Sequence, residues 1–332
     1  MSVRPLSQPA NVLEEEAVAL SRRMSDAREM IGKTIFGQKN VIDLCLTGLL
    51  SGGHFLVVGL PGLGKTKLVE TLGTVMGLDV RRVQCTPDLM PADILGSEIL
   101  SGEGDGRHFR FIQGPVFCQL LMADEINRAS PRTQSALLQA MQEHQVTIAG
   151  KAHDLPRPFH VMATQNPLEQ EGTYPLPEAQ LDRFMLQIDI DYPDAADERR
   201  MILATTGSRE EKPQPVFSAD EVIAAQDLVR RLPIGESVVD GILLLVQAGR
   251  PEQSKIDSVR KHVGWGPGPR AAQALMLASR AYALLDGRLS PSMDDVLMLA
   301  PSVFRHRMAL RFSARAEGVS LDSIIQEICA DL

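Results

Sequence analysis

The eight residues Gly59-Leu60-Pro61-Gly62-Leu63-Gly64-Lys65-Thr66 meet every fixed position of G-x-x-x-x-G-K-[ST] and directly follow the apolar run Phe55-Leu56-Val57-Val58. Strand, loop and helix N-terminus then fall in the order that a phosphate cradle needs. Gly59, Gly62 and Gly64 reach backbone angles closed to other residues and let consecutive N–H groups turn inward onto phosphate oxygens, with Pro61 inside the same loop. Lys65 would neutralise β- and γ-phosphates, and the Thr66 hydroxyl would hold one position on Mg²⁺, an ion that prefers few protein ligands. The bland alternative is a glycine-rich turn before an ordinary helix, but such a turn gains nothing from a lysine at its end.

A second constellation is Leu120-Leu121-Met122-Ala123-Asp124-Glu125. Four apolar residues predict a buried parallel strand, and two acids emerge at its C-terminal end, where open α/β sheets bind ligands. Asp124 would reach the Mg²⁺ shell and Glu125 would accept a proton from an attacking water. Taken alone, the acids could belong to a solvated loop; the cradle upstream favours chemistry. Asn166, at the end of the apolar run Phe159-His160-Val161-Met162-Ala163, could sense a γ-phosphate or the water, although Asn before Pro167 also starts ordinary turns. Arg183 has a plain reading as the partner of Asp182, yet its place far from the cradle along the expected sheet would let it project across a subunit boundary.

The elements that must position these residues fit two domains in 332 residues. Residues 1–33 are read as an extension with a mobile start and an amphipathic helix from Val12 to Ile31, whose Glu14, Glu15 and Glu16 form a solvated face. Residues 34–208 are read as an α/β nucleotide-binding domain, with projecting hairpins near 97–111 and 145–155. Gly37 and Gln38, just before an apolar helix at Val41–Leu50, are assigned to the nucleotide contacts. A polar linker near 207–213 leads to residues 214–332, where only helices are expected. A net charge of −8 argues against a surface dedicated to DNA or anionic lipid. Cys45, Cys85, Cys118 and Cys329 lie far apart and read as reduced thiols. No apolar run nears the ~18 residues of a membrane span, and the expectation is a cytoplasmic protein.

Cradle, acid pair, Asn166, Arg183 and helical tail together resemble an AAA+ ATPase. Asp124-Glu125-Ile126-Asn127-Arg128-Ala129, the Thr86-Pro87-Asp88 and Pro91-Ala92-Asp93 words, and Gly172-Thr173-Tyr174-Pro175-Leu176-Pro177-Glu178-Ala179-Gln180-Leu181-Asp182-Arg183-Phe184 are similar to the MoxR family. That resemblance spans essentially everything after residue 12. It implies a parallel-sheet P-loop domain with a smaller all-α lid, ATP and Mg²⁺ as cofactors, and a homo-oligomeric ring, commonly hexameric. It further implies that 97–111 is a helix-2 insert, that 145–155 is a pre-sensor hairpin, and that Gly266-Pro267-Gly268-Pro269-Arg270-Ala271 is a sensor-2 motif with Arg270 reaching phosphates. The family pattern carries a small residue other than Gly at position 268. The implied partners are a von Willebrand factor A domain protein and a client protein complex, often a metalloenzyme. A DNA motor, a chelatase motor subunit and a non-enzymatic nucleotide switch are the alternatives. Scarce aromatics and the absence of a helix-turn-helix or zinc module weigh against the first, and the full set of candidate residues weighs against the last.

Overall fold

A computed structural model describes residues 10–101, 107–169, 172–207 and 212–332. The expected mobile start at 1–9, the glycine-rich hairpin tip at 102–106 and most of the 207–213 linker lie outside these described residues.

Five parallel strands form the central sheet: β1 (Phe55–Gly59), β2 (Val80–Gln84), β5 (Leu120–Asp124), β8 (His160–Gln165) and β9 (Leu186–Ile190), in the order β2-β5-β8-β1-β9. All five residues of β5 are buried, which is why the strand is apolar until its last position. Helices α2 (Lys39–Leu50) and α3 (Lys65–Val75) cover one face. Helix α5 (Pro131–Glu143) packs in a second core with Leu56, Leu121, Val161 and Phe184. Ser130 caps α5 by accepting the Thr133 N–H at 3.3 Å, with Pro131 in the first turn, as its sequence predicts.

Both hairpins are present. β3 (Gly96–Ser101) pairs with β4 (His108–Gln113), and β6 (Gln145–Ile148) with β7 (Lys151–Asp154). Short helix α4 (Pro91–Leu95) leads into the first of them. Its neck is tight: Gly96 has φ 96°, and a Cβ there would stand 2.2 Å from the Ile112 carbonyl oxygen. Leu100 and Phe109, paired across the ladder, are 55% and 69% exposed. Further down, Phe111 stacks on His153 of β7 with centroids 4.1 Å apart, so the two hairpins lean on one another.

The C-terminal helices are α8 (Ala219–Arg231), α9 (Glu236–Ala248), α10 (Asp257–His262), α11 (Pro269–Leu285), α12 (Met293–Phe304), α13 (Phe312–Ala316) and α14 (Leu321–Ala330). The expectation of helices alone needs correction, because Val263–Trp265 (β10) and Ala309–Leu310 (β11) form a small antiparallel ribbon. Helix α12 carries Pro301 inside it. Short α6 (Glu178–Leu181) precedes β9, and an unexpected α7 (Ala195–Thr205), capped by Asp194, follows it. The first helix, α1 (Ala10–Gly32), buries Ala17, Met24, Ala27 and Ile31 in the same core as α3 and α11. Arg23 of α1 pairs with Glu221 of α8 at 2.7 Å, and Arg28 with Asp43 of α2 at 2.6 Å, so this helix touches both parts of the chain. Cys45, Cys85 and Cys118 are buried free thiols. No helix among the described residues is long and apolar enough to cross a membrane.

Candidate nucleotide site

The loop that leaves β1 meets the N-terminus of α3, with Gly62 at φ 84° and Gly64 at φ 73°, a left-handed path that residues with a Cβ rarely take. Lys65 folds back so that Nζ donates to the Gly59 carbonyl at 2.6 Å. Burial pushes its ammonium below the ordinary lysine value, against the pull of Asp124 and Glu125. Thr66 stands half-buried one residue on, and Pro61 is exposed in the loop. Beside the loop lies a cavity of about 300 Å³, lined by Ile35, Gln38, Gly62, Gly64, Ile190 and Tyr192 among others. Such a largely apolar hollow next to backbone donors suits a nucleoside attached to phosphates. Gln38 is held there by donating to the Asp191 carbonyl at 2.8 Å. Gly37 lines the adjoining cavity instead, where a Cβ would meet Asp197 Oδ2 at 2.7 Å.

At the C-terminal ends of the neighbouring strands, Asp124 and Glu125 share one hydroxyl. Thr164 Oγ1 donates to Asp124 Oδ1 at 2.6 Å and accepts the Glu125 N–H at 2.8 Å. Glu125 sits at φ 55°, which turns its side chain away from the strand direction. Its Oε2 accepts from Gln84 Nε2 at 2.8 Å and from Arg128 Nη1 at 3.3 Å. Arg82 Nη2 donates to Asp124 Oδ2 at 2.5 Å. Arg82, Gln84, Arg128 and Thr164 are thus partners that the sequence reading missed. The available signal was alternation: Arg82 and Gln84 share a face of β2, and Gln84 stands in register with Asp124. Asn166 follows β8, and its Oδ1 accepts the Leu168 N–H at 3.1 Å. Its carbonyl end makes the turn, as expected of an Asn before Pro167.

These side chains suit Mg²⁺. Asp124 supplies a hard carboxylate and Thr66 a hydroxyl, and Arg82, whose side chain is 48% exposed, already places one cation against Asp124. Among the described residues no group of three or more His, Cys, Asp or Glu could cage a metal alone. Mg²⁺ prefers that situation, taking one or two protein ligands with waters and phosphates.

Arg183 and Arg270 are not brought to this cradle. They line a separate cavity of about 280 Å³ with Gly53, His54, Asp182 and Arg307. Gly53 and His54 precede β1, and the Met185 N–H bonds the His54 carbonyl at 2.7 Å just before β9. Both arginines therefore stand at the N-terminal edge of a parallel sheet whose C-terminal edge carries the cradle. The five residues of β1 between the two edges span about 16 Å.

Comparison with known proteins agrees with this architecture. The model for the ATPase family associated with various cellular activities (AAA) matches residues 54–186, and an AAA lid domain model matches 258–328. The chain is 39% identical over 321 residues to Chaperone MoxR1 of Mycobacterium tuberculosis, covering 96% of this chain and 83% of that one. It is 40% identical over 311 residues to YeaC of Bacillus subtilis, a protein without an assigned role, covering 92% of each. A crystal structure from Cytophaga hutchinsonii, described as an inferred ATPase, superposes with a TM-score of 0.90 at 37% identity, covering 97% of this chain and 98% of that one.

Proposed function

This chain belongs to the MoxR family of AAA+ ATPases, and from that premise we propose that its ATP hydrolysis is Mg²⁺-dependent, occurs between the subunits of a homo-oligomeric ring, and drives chaperone-like remodelling of client protein complexes. A hexamer is the assembly we propose, with metalloenzymes among the clients and a von Willebrand factor A domain protein as adaptor. The chaperone designation of the Mycobacterium relative supports work on proteins over work on DNA.

In this reading the backbone of the 59–64 loop and Lys65 hold the phosphates, while Thr66 and Asp124 hold Mg²⁺, which supplies charge neutralisation on the γ-phosphoryl group. Glu125 takes the proton of the attacking water, with Thr164 fixing the direction of its backbone and Gln84 and Arg128 fixing its carboxylate. Asn166 donates its amide to a γ-phosphate oxygen. Arg183 and Arg270 stabilise the charge that develops on the phosphoryl group of the neighbouring subunit's ATP.

The observation that carries the proposal is the separation of both arginines from their own chain's cradle, in a different cavity at the opposite sheet edge. Arginine fingers contribute about 10³–10⁵ in rate in phosphoryl transfer. Arg183→Ala and Lys65→Ala are each expected to be nearly inactive alone. Mixed, they rebuild interfaces that combine an intact cradle with an intact arginine, and ATPase activity returns. Verified mixed rings without recovered activity at any ratio would refute action across the subunit boundary.

A further inference from the structure

Arg307, three residues beyond α12, is 2% exposed and heads the fully buried side chains by volume. Burial pulls its guanidinium down to about 10, still protonated at neutral pH. Enclosing a charge is costly unless its donors are matched, and an apolar residue of similar volume would often fill the space at least as well. A guanidinium adds direction, through a planar fork of five N–H groups.

Four of the five bonds of Arg307 go to one short stretch. Nε donates to Asp182 Oδ1 at 2.8 Å, Nη1 to the Met185 carbonyl at 3.0 Å, and Nη2 to the carbonyls of Phe184 at 2.5 Å and Asp182 at 3.3 Å. The fifth bond, Nη1 to the Val303 carbonyl at 2.9 Å, returns to α12. His306 adds a bond from Nε2 to the Phe184 carbonyl at 2.9 Å; burial, with Arg307 alongside, holds its imidazole neutral. The gripped residues enclose Arg183. The other oxygen of Asp182 lies 3.8 Å from Arg270 Nε, so one carboxylate faces Arg307 and Arg270 together.

We infer that Arg307 is a positioning residue: acting through Asp182 and the carbonyls of residues 184 and 185, it aims Arg183 and Arg270 as a pair and ties their aim to the orientation of the C-terminal helices. A shift of those helices in one protomer thereby changes turnover in its neighbour's site. The inference rests on the reading that both arginines serve a neighbouring nucleotide.

Arg307→Lys keeps the charge and loses the fork. Its own cradle is intact, so KM for ATP stays within about threefold while kcat falls about 10²-fold, the scale of an ångström-sized misplacement. Addition of Lys65→Ala protein, inactive alone but with Arg183, Arg270 and Arg307 intact, is expected to raise turnover per Arg307→Lys protomer by more than about tenfold. The mixture of Arg183→Ala with Lys65→Ala is run beside it. If that mixture recovers and the Arg307→Lys mixture does not, Arg307 is only a core residue and the inference fails. If neither recovers in verified rings, the reading beneath it fails. Should Arg307→Lys not fold, by circular dichroism and size-exclusion chromatography, Asp182→Asn takes its place in the same mixture. It removes the shared carboxylate at constant volume, and the same recovery supports the inference while its absence overturns it.

Discussion

Lowering the pH from 7 to 5 should destabilise this protein by about 4 kcal/mol through two histidines that have no part in catalysis. The Val161 N–H donates to His54 Nδ1 at 3.0 Å, and His54 Nε2 faces the Met141 carbonyl at 3.0 Å, so the proton must sit on Nε2. His160 is the mirror case: Nδ1 donates to the Gly53 carbonyl at 2.8 Å, and Nε2 accepts from Gln226 of α8 at 3.0 Å. Each ring is neutral with both nitrogens engaged, and burial pushes His54 down to about 3 and His160 to about 4. The unfolded chain takes up these protons near pH 6.5. Below that pH the unfolded state binds more protons, so stability is fully present above about pH 6.5 and falls with acid until the folded values are reached. Each group contributes about 1.4 kcal/mol per pH unit, and the pair loses about 4 kcal/mol between pH 7 and pH 5. Urea denaturation across that range, followed by far-ultraviolet circular dichroism, measures it. His160→Asn retains a donor for the Gly53 carbonyl and cannot titrate, so it should lower the slope by about 1.4 kcal/mol per pH unit whatever its stability at pH 7. A flat profile, or an unaltered slope in the variant, would refute the reasoning.

Lys65→Ala should lose ATP binding, while Glu125→Gln binds ATP and turns over at a small fraction of the native rate; nucleotide affinity and single-turnover hydrolysis separate the two. Thr164→Val strands Asp124 Oδ1 and the Glu125 N–H, and should cost about 1–3 kcal/mol in thermal unfolding and about tenfold in kcat, with Thr164→Ser restoring both. Ala149 occupies φ 48° beside Gly150 at φ 80° in the two-residue turn between β6 and β7. Ala149→Asn should therefore raise stability by about 0.5–1 kcal/mol in urea denaturation.

The parts of the site that were legible in the sequence are those whose geometry is set by adjacent residues. Gly62 and Gly64 announce a loop and helix start by their own backbone needs, whereas Gly59 closes β1 without a positive φ, and β5 announces itself by four apolar residues before Asp124. What stayed hidden depends on which strand lies beside which. Arg82 and Gln84 gain a role only once β2 is placed against β5, 42 positions away for the Arg82–Asp124 pair. Arg307 carries no signal of its own in the sequence, because its acid lies 125 residues earlier. Helix α7 escaped for another reason: it has no buried residue, and so no apolar stripe to give it a period. The β10–β11 ribbon is too short to show alternation.

If the β3–β4 hairpin turned as a body, the glycine neck at Gly96 would be its pivot and the Phe111–His153 stack its link to the second hairpin. Six residues per strand give an arm of about 20 Å. A rotation of about 10° at the neck sweeps the outer end through about 3.5 Å by geometry alone, so a sub-ångström adjustment at its root becomes a displacement the size of a side-chain contact. The stack would pass that stroke to the second hairpin as well, carrying Leu100 and Phe109 together with β6–β7.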